Sequence, residues 1–387
     1  MSLRKQCIIY VFLCIISMLI NTLDLLQGFF RISSFAIIIW SFYYFVQVNK
    51  MRQKSVYIYA LDILFLIFII YGLQLIASNR VLYVRNVRLV ANYRYIVTAC
   101  LSILPIYAFY YFSLKRAFTD YMMKYIFISL TIISIISYFN VFFIGENVED
   151  FEEKTNNKGY LLVPLLAMLC IVKLEDLKKN ILLLVILLLI VLSAKRGTII
   201  VGIISLLYYS RYSFSKKSFK KIFLLLCFLV LTAVTAMYFL EGNKHFVARI
   251  NDTLNGDTNG REQIYSYYFD YFINQNDTEK LFWGNGAEST LTLFGYHAHN
   301  DWLEMALNQG VLGLLCFLFY WIAFWNTYTK IQEIEKKTAI KMIMFSYFLM
   351  TFFSMSICEM PIACTLTIGY CLSNSNKNYK KNLIRWK

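Results

Sequence analysis

The sequence predicts an all-α polytopic membrane protein with about twelve transmembrane helices and one large extracytoplasmic loop that contains short amphipathic helices. Two observations predict this class. Of 387 residues, 59% are hydrophobic and only 16% are charged, whereas soluble domains average about 25% charged residues. Apolar runs also recur along most of the chain, and about 20 apolar residues cross a bilayer as a helix.

Taking each apolar run as a helix gives the individual spans. The first follows the basic start MSLRKQ, which imitates a secretory signal but lacks a small-residue cleavage site, so we keep it as a span. Only Lys195 and Arg196 separate the seventh and eighth, which predicts a tight helical hairpin or a broken helix that lines a cavity. The spans are 6–24, 32–48, 56–77, 95–113, 121–144, 160–172, 181–194, 197–209, 222–240, 303–327, 340–357 and 361–373.

The basic residues predict the orientation of these spans. The net charge is +15, and most Lys and Arg residues fall in short clusters on one side of the predicted membrane. This distribution favours cytoplasmic positions for both termini and argues against a nucleic-acid partner. The expected organisation is helices 1–9 over residues 1–240, an extracytoplasmic loop over 241–302, and helices 10–12 with a cytoplasmic tail over 303–387.

The segment 78–94 departs from this charge pattern, because the orientation puts Arg80, Arg85, Arg88 and Arg94 on the outer face. One interpretation is that these arginines anchor the chain at the interface by snorkelling. The other is that they form an anion-attracting surface at the mouth of a site. The sequence leaves both open and favours the first.

Three further residues are candidates for chemistry on the outer face: Arg196, Arg261 and His299. Arg261 is expected in the first turn of a short amphipathic helix capped by Thr258 or Asn259, where free N–H groups and the helix dipole favour an anion. A phosphate or diphosphate suits the planar guanidinium. The alternatives are a simple helix cap for Arg196, a surface ion pair for Arg261 and a solvated position for His299.

The remaining polar candidates lie where the loop turns into the tenth span: His297, Asn300, Asp301, Trp302 and Glu304. Glu304, one turn into the helix, either orients His299 or favours the helix start. A zinc site built on His297, His299 and Asp301 is disfavoured, since only distant His245 remains to complete it. The nine cysteines form no C-x-x-C pair and are interpreted as small hydrophobes. No metal or cofactor is expected.

On these residues the sequence resembles the O-antigen ligase and polymerase family of polysaccharide-assembling membrane proteins. The family motif H-N-x-aromatic-L, followed by a helix and G-x-x-G, corresponds to His299–Leu303 and Gly310–Gly313. Its small-residue/R-G element corresponds to Ala194–Gly197, its G-R element to Gly260–Arg261, and its G-x-G turn to Gly284–Gly286. The resemblance covers about 180–315. Two positions depart from the family pattern: Lys195, where serine or threonine is common, and Asn308, where glutamate is common.

The resemblance implies a glycosyltransferase that uses a sugar chain on polyprenyl (undecaprenyl) diphosphate at the outer face of the cytoplasmic membrane. In that case Arg196 and Arg261 would stabilise the leaving diphosphate, and His299 would accept the proton of the attacking sugar hydroxyl. A direct, metal-independent displacement would invert the anomeric carbon. The substrate would also be contacted by the other candidates, Arg80, Arg85, Arg88, Lys195, His297, Asn300, Asp301, Trp302 and Glu304.

The family contains both polymerases and ligases, and the shared residues do not separate them. We favour a polymerase of capsular, O-antigen or exopolysaccharide repeat units over a ligase that transfers finished glycan to a terminal acceptor. A chain-length regulator and a flippase of the same pathway are possible partners. The rival from another class is a transporter of lipid-linked oligosaccharide. Transporters commonly show repeated halves and polar sites at the midplane, and apart from Asp62 few ionisable residues lie deep in the spans.

Overall fold

The computed structural model describes residues 1–23, 27–52, 54–78, 82–84, 87–89, 92–143, 157–193, 196–214, 230, 234, 261–354 and 360–373. Helices dominate these ranges, as the sequence predicts. The first eight are α1 (Leu3–Leu23), α2 (Gln27–Asn49), α3 (Val56–Ala77), α4 (Asn92–Leu114), α5 (Asp120–Phe143), α6 (Val163–Ile171), α7 (Asp176–Leu192) and α8 (Arg196–Phe214). The later ones are α9 (Arg261–Ile273), α10 (Thr278–Trp283), α11 (Ser289–Phe294), α12 (Asp301–Thr329), α13 (Ile334–Met350) and α14 (Ile362–Leu372).

The chain is a multi-pass membrane protein. Among the described helices, six are long and apolar enough to cross a bilayer: Leu3–Asn21, Arg31–Asn49, Val56–Ala77, Tyr93–Leu114, Asp120–Phe139 and Asp301–Thr329. Gly159–Ile171 and Ile362–Leu372 are shorter apolar helices. The predicted ninth span, 222–240, and the segment 241–260 lie almost entirely outside the described residues. The count of twelve spans therefore stays a prediction.

A short hairpin interrupts the helices between α3 and α4. Strands β1 (Leu82–Val84) and β2 (Val87–Leu89) pair antiparallel, with Tyr83 opposite Arg88. The sequence predicts a loop in this arginine-bearing segment, because three-residue strands give too short a pattern to recognise. Strand β1 contacts α11, the helix that precedes the His299 loop.

Helix α4 is a centre of the apolar core and packs against α2, α3 and α14. Its approach to α14 is close, since a Cβ atom added to Gly369 would lie 2.7 Å from the Ile106 carbonyl oxygen. Helix α12 packs on α3, where the buried hydroxyls of Tyr57 and Tyr320 are 3.1 Å apart. In turn, α13 packs on α6 and α8. The start of α8 and the start of α12 both lie against the residues that follow α13, because Gly197 packs on Phe353 and the N–H of Asp301 donates to the Thr351 carbonyl.

Helix α12 is broken at Gly310, although the sequence predicted an uninterrupted span over 303–327. Gly310 has φ 66° and ψ −161°, a conformation that favours glycine. The Gly284–Gly286 turn contacts this break. The N–H of Asn285 donates to the Leu307 carbonyl at 2.8 Å, and the N–H of Gly286 donates to the Asn308 carbonyl at 3.0 Å. The two glycine motifs are therefore partners in one contact.

Candidate active site

His299 lies in a strained loop directly before α12. Its φ of 50° is uncommon for a residue other than glycine, and its side chain is exposed. The next residue, Asn300, is the N-cap of α12, because its Oδ1 accepts from the N–H groups of Trp302 at 2.9 Å and Leu303 at 3.2 Å. His299 is thus outside the helix and faces the surface from a fixed loop.

The turn that follows α13, residues 351–354, holds this loop in place. The N–H of Asp301 donates to the Thr351 carbonyl at 2.8 Å, and the Asn300 amide donates to the Phe352 carbonyl at 3.2 Å. The predicted span 340–357 ran through this turn, but α13 ends at Met350. The carbonyls of Thr351 and Phe352 in the 351–354 turn therefore accept hydrogen bonds from the histidine loop.

Trp302 also contacts the 351–354 turn. Its indole N–H donates to the Thr351 hydroxyl at 2.9 Å, and its ring stacks on Phe352 with centroids 5.9 Å apart. Trp302 is half-buried. Through these contacts, Trp302 attaches the start of α12 to the 351–354 turn.

Helix α9 brings Arg261 to the same turn. Arg261 is exposed and is the first residue of α9, as predicted, and its guanidinium donates a long hydrogen bond of 3.5 Å to the Phe353 carbonyl. One helical turn further on, the Tyr265 hydroxyl lies 3.1 Å from the Phe352 carbonyl and 3.4 Å from the His299 carbonyl. Burial raises the pKa of Tyr265, while the nearby charge of Arg261 opposes the shift. Tyr265 therefore connects α9 to both the turn and the histidine loop.

The start of α8 adds the third candidate segment. Arg196 begins this helix, and its side chain lies outside the described residues. Its neighbour Gly197 is tightly packed, because an added Cβ would lie 2.6 Å from both the Phe353 ring and the Tyr160 hydroxyl. Tyr160 has Arg261 and Ser354 among its polar neighbours. The segments that carry Arg196, Arg261 and His299 thus meet at the 351–354 turn.

Glu304 is buried beneath the histidine loop, with 6% of the residue exposed. Its Oε1 accepts from the N–H of Ala298 at 2.7 Å. Its Oε2 accepts from the Thr290 hydroxyl at 2.8 Å and from the Asn308 amide at 3.1 Å. Hydrogen bonds to a charged carboxylate are stronger than neutral ones, so this side chain ties the loop to α11 and α12.

His297 lies between two carboxyl groups. Its Nδ1 is 3.5 Å from Oε1 of Glu304, and its Nε2 is 3.8 Å from Oε2 of Glu288. Burial raises the pKa of Glu288, and the charge of Glu304 adds to the increase, whereas His297 and Arg94 oppose it. The ring centroids of His297 and His299 are 6.4 Å apart. The loop therefore places two imidazoles together, one exposed and one held by carboxylates.

The arginine-bearing segment is described only in part. Arg80, Arg85 and Lys195 lie outside the described residues, and Arg88 is described for its backbone alone. Arg94 is exposed at the start of α4. Within the described ranges, no group of three or more His, Cys, Asp and Glu side chains is arranged to hold a metal ion.

The sequence alone did not identify the 351–354 turn, Tyr160 or Glu288 as part of this region. The turn, Thr-Phe-Phe-Ser, contains no ionisable residue and contributes mainly backbone carbonyls. No motif in the sequence marks such carbonyls, because any residue carries one. Among the candidates, His297, Asn300, Asp301, Trp302 and Glu304 are brought together with His299.

One family of known proteins matches part of the chain. The family model described as O-antigen ligase matches residues 181–318. This range includes most of α7, all of α8 and α9, and the histidine loop, and it ends before the 351–354 turn. No curated protein sequence matches the chain.

Proposed function

Taking the chain as a member of the O-antigen ligase/polymerase family, as the match over residues 181–318 supports, we propose that it polymerises oligosaccharide repeat units carried on polyprenyl diphosphate. The product is a capsular, O-antigen or exopolysaccharide. The reaction takes place at the outer face of the cytoplasmic (inner) membrane, with both termini in the cytoplasm. A flippase that delivers the donor and a chain-length regulator are the expected partners.

The observation that carries this proposal is the convergence of three segments on one turn. Arg261 and Tyr265 of α9, Gly197 of α8 and Asn300 of the histidine loop all contact the 351–354 turn. Arg261 and His299 are both exposed there. A guanidinium group and an imidazole on one surface suit a reaction in which the leaving group gains negative charge and the attacking hydroxyl releases a proton.

In the proposed reaction, the hydroxyl oxygen of the acceptor sugar attacks the anomeric carbon of the donor. The bond from that carbon to the diphosphate oxygen breaks, and the hydroxyl proton passes to His299. Arg196 and Arg261 stabilise the charge that the diphosphate gains. A single displacement of this kind inverts the anomeric configuration and needs no metal. NMR of the product linkage tests it, because retention relative to the lipid-linked donor contradicts a single displacement.

Two alternatives remain for experiment. A ligase that transfers finished glycan to a terminal acceptor fits the family match equally well. A transporter of lipid-linked oligosaccharide is less well supported, since Asp62, the carboxylate expected of a midplane site, is half-buried and engaged in an ion pair with Lys54.

The deciding experiment is a glycan gel of a strain that lacks this gene, complemented with wild type or single variants, with lipid-linked and surface-attached material resolved separately. In the uncomplemented strain, single repeat units in place of a ladder indicate a polymerase. Long polymer retained on the carrier lipid indicates a ligase, and repeat units stranded on the cytoplasmic face indicate a transporter.

The variants test the residues. His299→Ala, Arg196→Ala and Arg261→Ala are expected to abolish the polymer at unchanged protein level in the membrane. Arg261→Lys is also expected to be impaired, because lysine lacks the planar fork. Arg211→Ala, an exposed position at the other end of α8, is the matched control and should give a normal ladder. A normal ladder from His299→Ala, Arg196→Ala or Arg261→Ala would mean that the substituted residue is not part of the active site.

A further inference from the structure

We propose that Glu304 is the positioning residue of the histidine loop and acts on His299 through the Ala298 amide and the His297 imidazole. This inference rests on the proposed function, in which His299 accepts the acceptor proton. It develops the orienting role that the sequence left open for Glu304 and places this residue beneath the active site, without the substrate contact that the sequence also suggested.

The surroundings of Glu304 are those of an internal support. The residue is 6% exposed, and its two carboxylate oxygens accept from donors on three different elements. These donors are Ala298 in the loop, Thr290 in α11 and Asn308 in α12. A buried carboxylate is tolerated only where such partners satisfy it. The carboxylate therefore fixes the distance between the loop and the two helices below it.

The backbone of His299 explains why this support is needed. Its φ of 50° is a conformation that an ordinary side chain adopts only when the surrounding structure imposes it. On one side, Asn300 is fixed as the N-cap of α12 and by the Phe352 carbonyl. On the other side, Ala298 is fixed by Glu304 at 2.7 Å. His299 is thus clamped between two fixed neighbours, and Glu304 holds one of them.

The orientation of Asn308 makes this role testable. Its Oδ1 accepts from both the N–H and the hydroxyl of Ser289, at 2.9 and 2.6 Å, so its NH₂ group must point to Glu304. A glutamine at position 304 would then place its own NH₂ group against either the Asn308 amide or the Ala298 N–H. Glu304→Gln cannot satisfy both donors. In the double variant Glu304→Gln/Asn308→Asp, the new carboxylate accepts from Ser289 and from the glutamine NH₂ group, and the glutamine oxygen accepts from the Ala298 N–H. The Thr290 hydroxyl, which donates to Glu304 in the wild type, then accepts from the glutamine NH₂ group.

The first experiment measures polymerisation by the full-length protein in liposomes, with the lipid-linked repeat unit of its own strain as substrate. Glu304→Gln is expected to lower kcat about 100-fold, the effect of a displacement of about 1 Å at a reacting group. Its KM should stay within about 3-fold, since no substrate contact is lost. The double variant should recover at least about 10-fold of the lost kcat, because the loop regains its support.

Three results would overturn the proposal. A wild-type kcat in Glu304→Gln means that the loop does not depend on this carboxylate. A raised KM with an unchanged kcat means that Glu304 contacts the substrate. A double variant no more active than Glu304→Gln means that the charge beside His297 matters and not the hydrogen bonds.

The second experiment does not depend on activity. The chain has only three histidines, so selective ¹⁵N labelling of histidine gives three imidazole signal sets, assigned with single His variants. Glu304→Gln should shift the signals of His297 and His299, and the double variant should return the His299 signals toward their wild-type positions. Unchanged His299 signals in Glu304→Gln contradict the positioning role. A wild-type rate in His299→Ala contradicts the proposed function instead.

Thr290→Val provides a milder test in case Glu304→Gln does not fold. It removes one of the three donors to Glu304 and should shift the same two sets of histidine signals by a smaller amount. Thr292→Val on the same helix is the matched control, because the Thr292 hydroxyl donates to the Ser289 carbonyl and not to Glu304. Equal shifts from the two valine variants would contradict the proposal.

Discussion

Two carboxylates among the helices, Asp62 of α3 and Glu304 of α12, are held in different ways. Asp62 accepts from Tyr107 at 2.7 Å and from Asn49 at 3.2 Å, and it pairs with Lys54 at 3.3 Å. Glu304 is held by uncharged donors and faces the imidazole of His297. We call these groups the lysine cluster and the histidine cluster.

The difference indicates different roles. In the lysine cluster, the charge of Asp62 is balanced by the ammonium group of Lys54, and the cluster joins the α2–α3 connection to α4. In the histidine cluster, Glu304 faces His297, a residue type whose charge depends on pH. This cluster supports the loop that carries His299, the proposed proton acceptor. We therefore expect damage to the lysine cluster to lower stability alone, and damage to the histidine cluster to lower turnover as well.

The largest effect is expected from Gly310→Ala, which would separate the turn at 284–286 from the helix that carries the histidine cluster. A Cβ atom would lie 2.5 Å from the Phe282 carbonyl oxygen and 2.6 Å from the Gly284 nitrogen. Overpacking together with the left-handed backbone should cost about 3–4 kcal/mol. Thermal unfolding in detergent and polymerisation rates measure the outcome.

Gly295→Ala is the control for this prediction. Gly295 has φ 78° but nothing within 4 Å of an added Cβ, so it should lose only about 1–2 kcal/mol for the left-handed conformation. Equal losses in the two variants would show that the contact at Gly310 contributes nothing beyond its backbone angle.

Asp62→Ala tests the lysine cluster. It leaves Lys54, whose side chain is 9% exposed, without its carboxylate, which should cost about 3 kcal/mol. The turnover per folded molecule should stay at the wild-type value, as measured by normalising activity to the monodisperse fraction in size-exclusion chromatography. Asp62→Ala/Lys54→Met should recover part of the stability, since no buried charge is left. A lowered turnover in the folded fraction would contradict the expectation that the lysine cluster affects stability alone.

Asn300→Ala should have a smaller effect on stability and a clear effect on rate. Loss of the N-cap costs about 1 kcal/mol, and loss of the bond to the Phe352 carbonyl frees the loop beside His299. Asn300→Asp keeps the cap but removes the amide donor, so it separates the two contributions. The unfolding temperature and kcat of both variants should be compared with wild type. A wild-type kcat in both would show that the 351–354 turn is not needed to hold His299.

The smallest effect is expected from Glu288→Gln and depends on pH. Because the pKa of Glu288 is raised in the folded protein, the folded state binds a proton that the unfolded chain has lost between the ordinary carboxyl pKa and the raised one. Stability conferred by Glu288 therefore falls as pH rises through that interval. Glu288→Gln should match wild type below the interval and be slightly more stable above it. A less stable variant at neutral pH would mean that the ionised Glu288–His297 pair is stabilising.

Much of this protein follows from its sequence alone. Apolar runs determine the helices, because a backbone in lipid must satisfy its hydrogen bonds within each segment. Local signals also placed Arg261 at the start of a helix and marked a helix start next to His299, where Asn300 is the cap. The match over residues 181–318 supports the family that the motifs indicated.

Tertiary structure alone decided how these pieces meet. Asn300 reaches the Phe352 carbonyl across 52 positions in the chain, and the turn at 284–286 requires α12 to break at Gly310. The donors that surround Glu304 come from three elements. The physical reason is that local sequence fixes the conformation of a segment, whereas backbone carbonyls and buried carboxylates acquire a role only from the partners that packing brings to them.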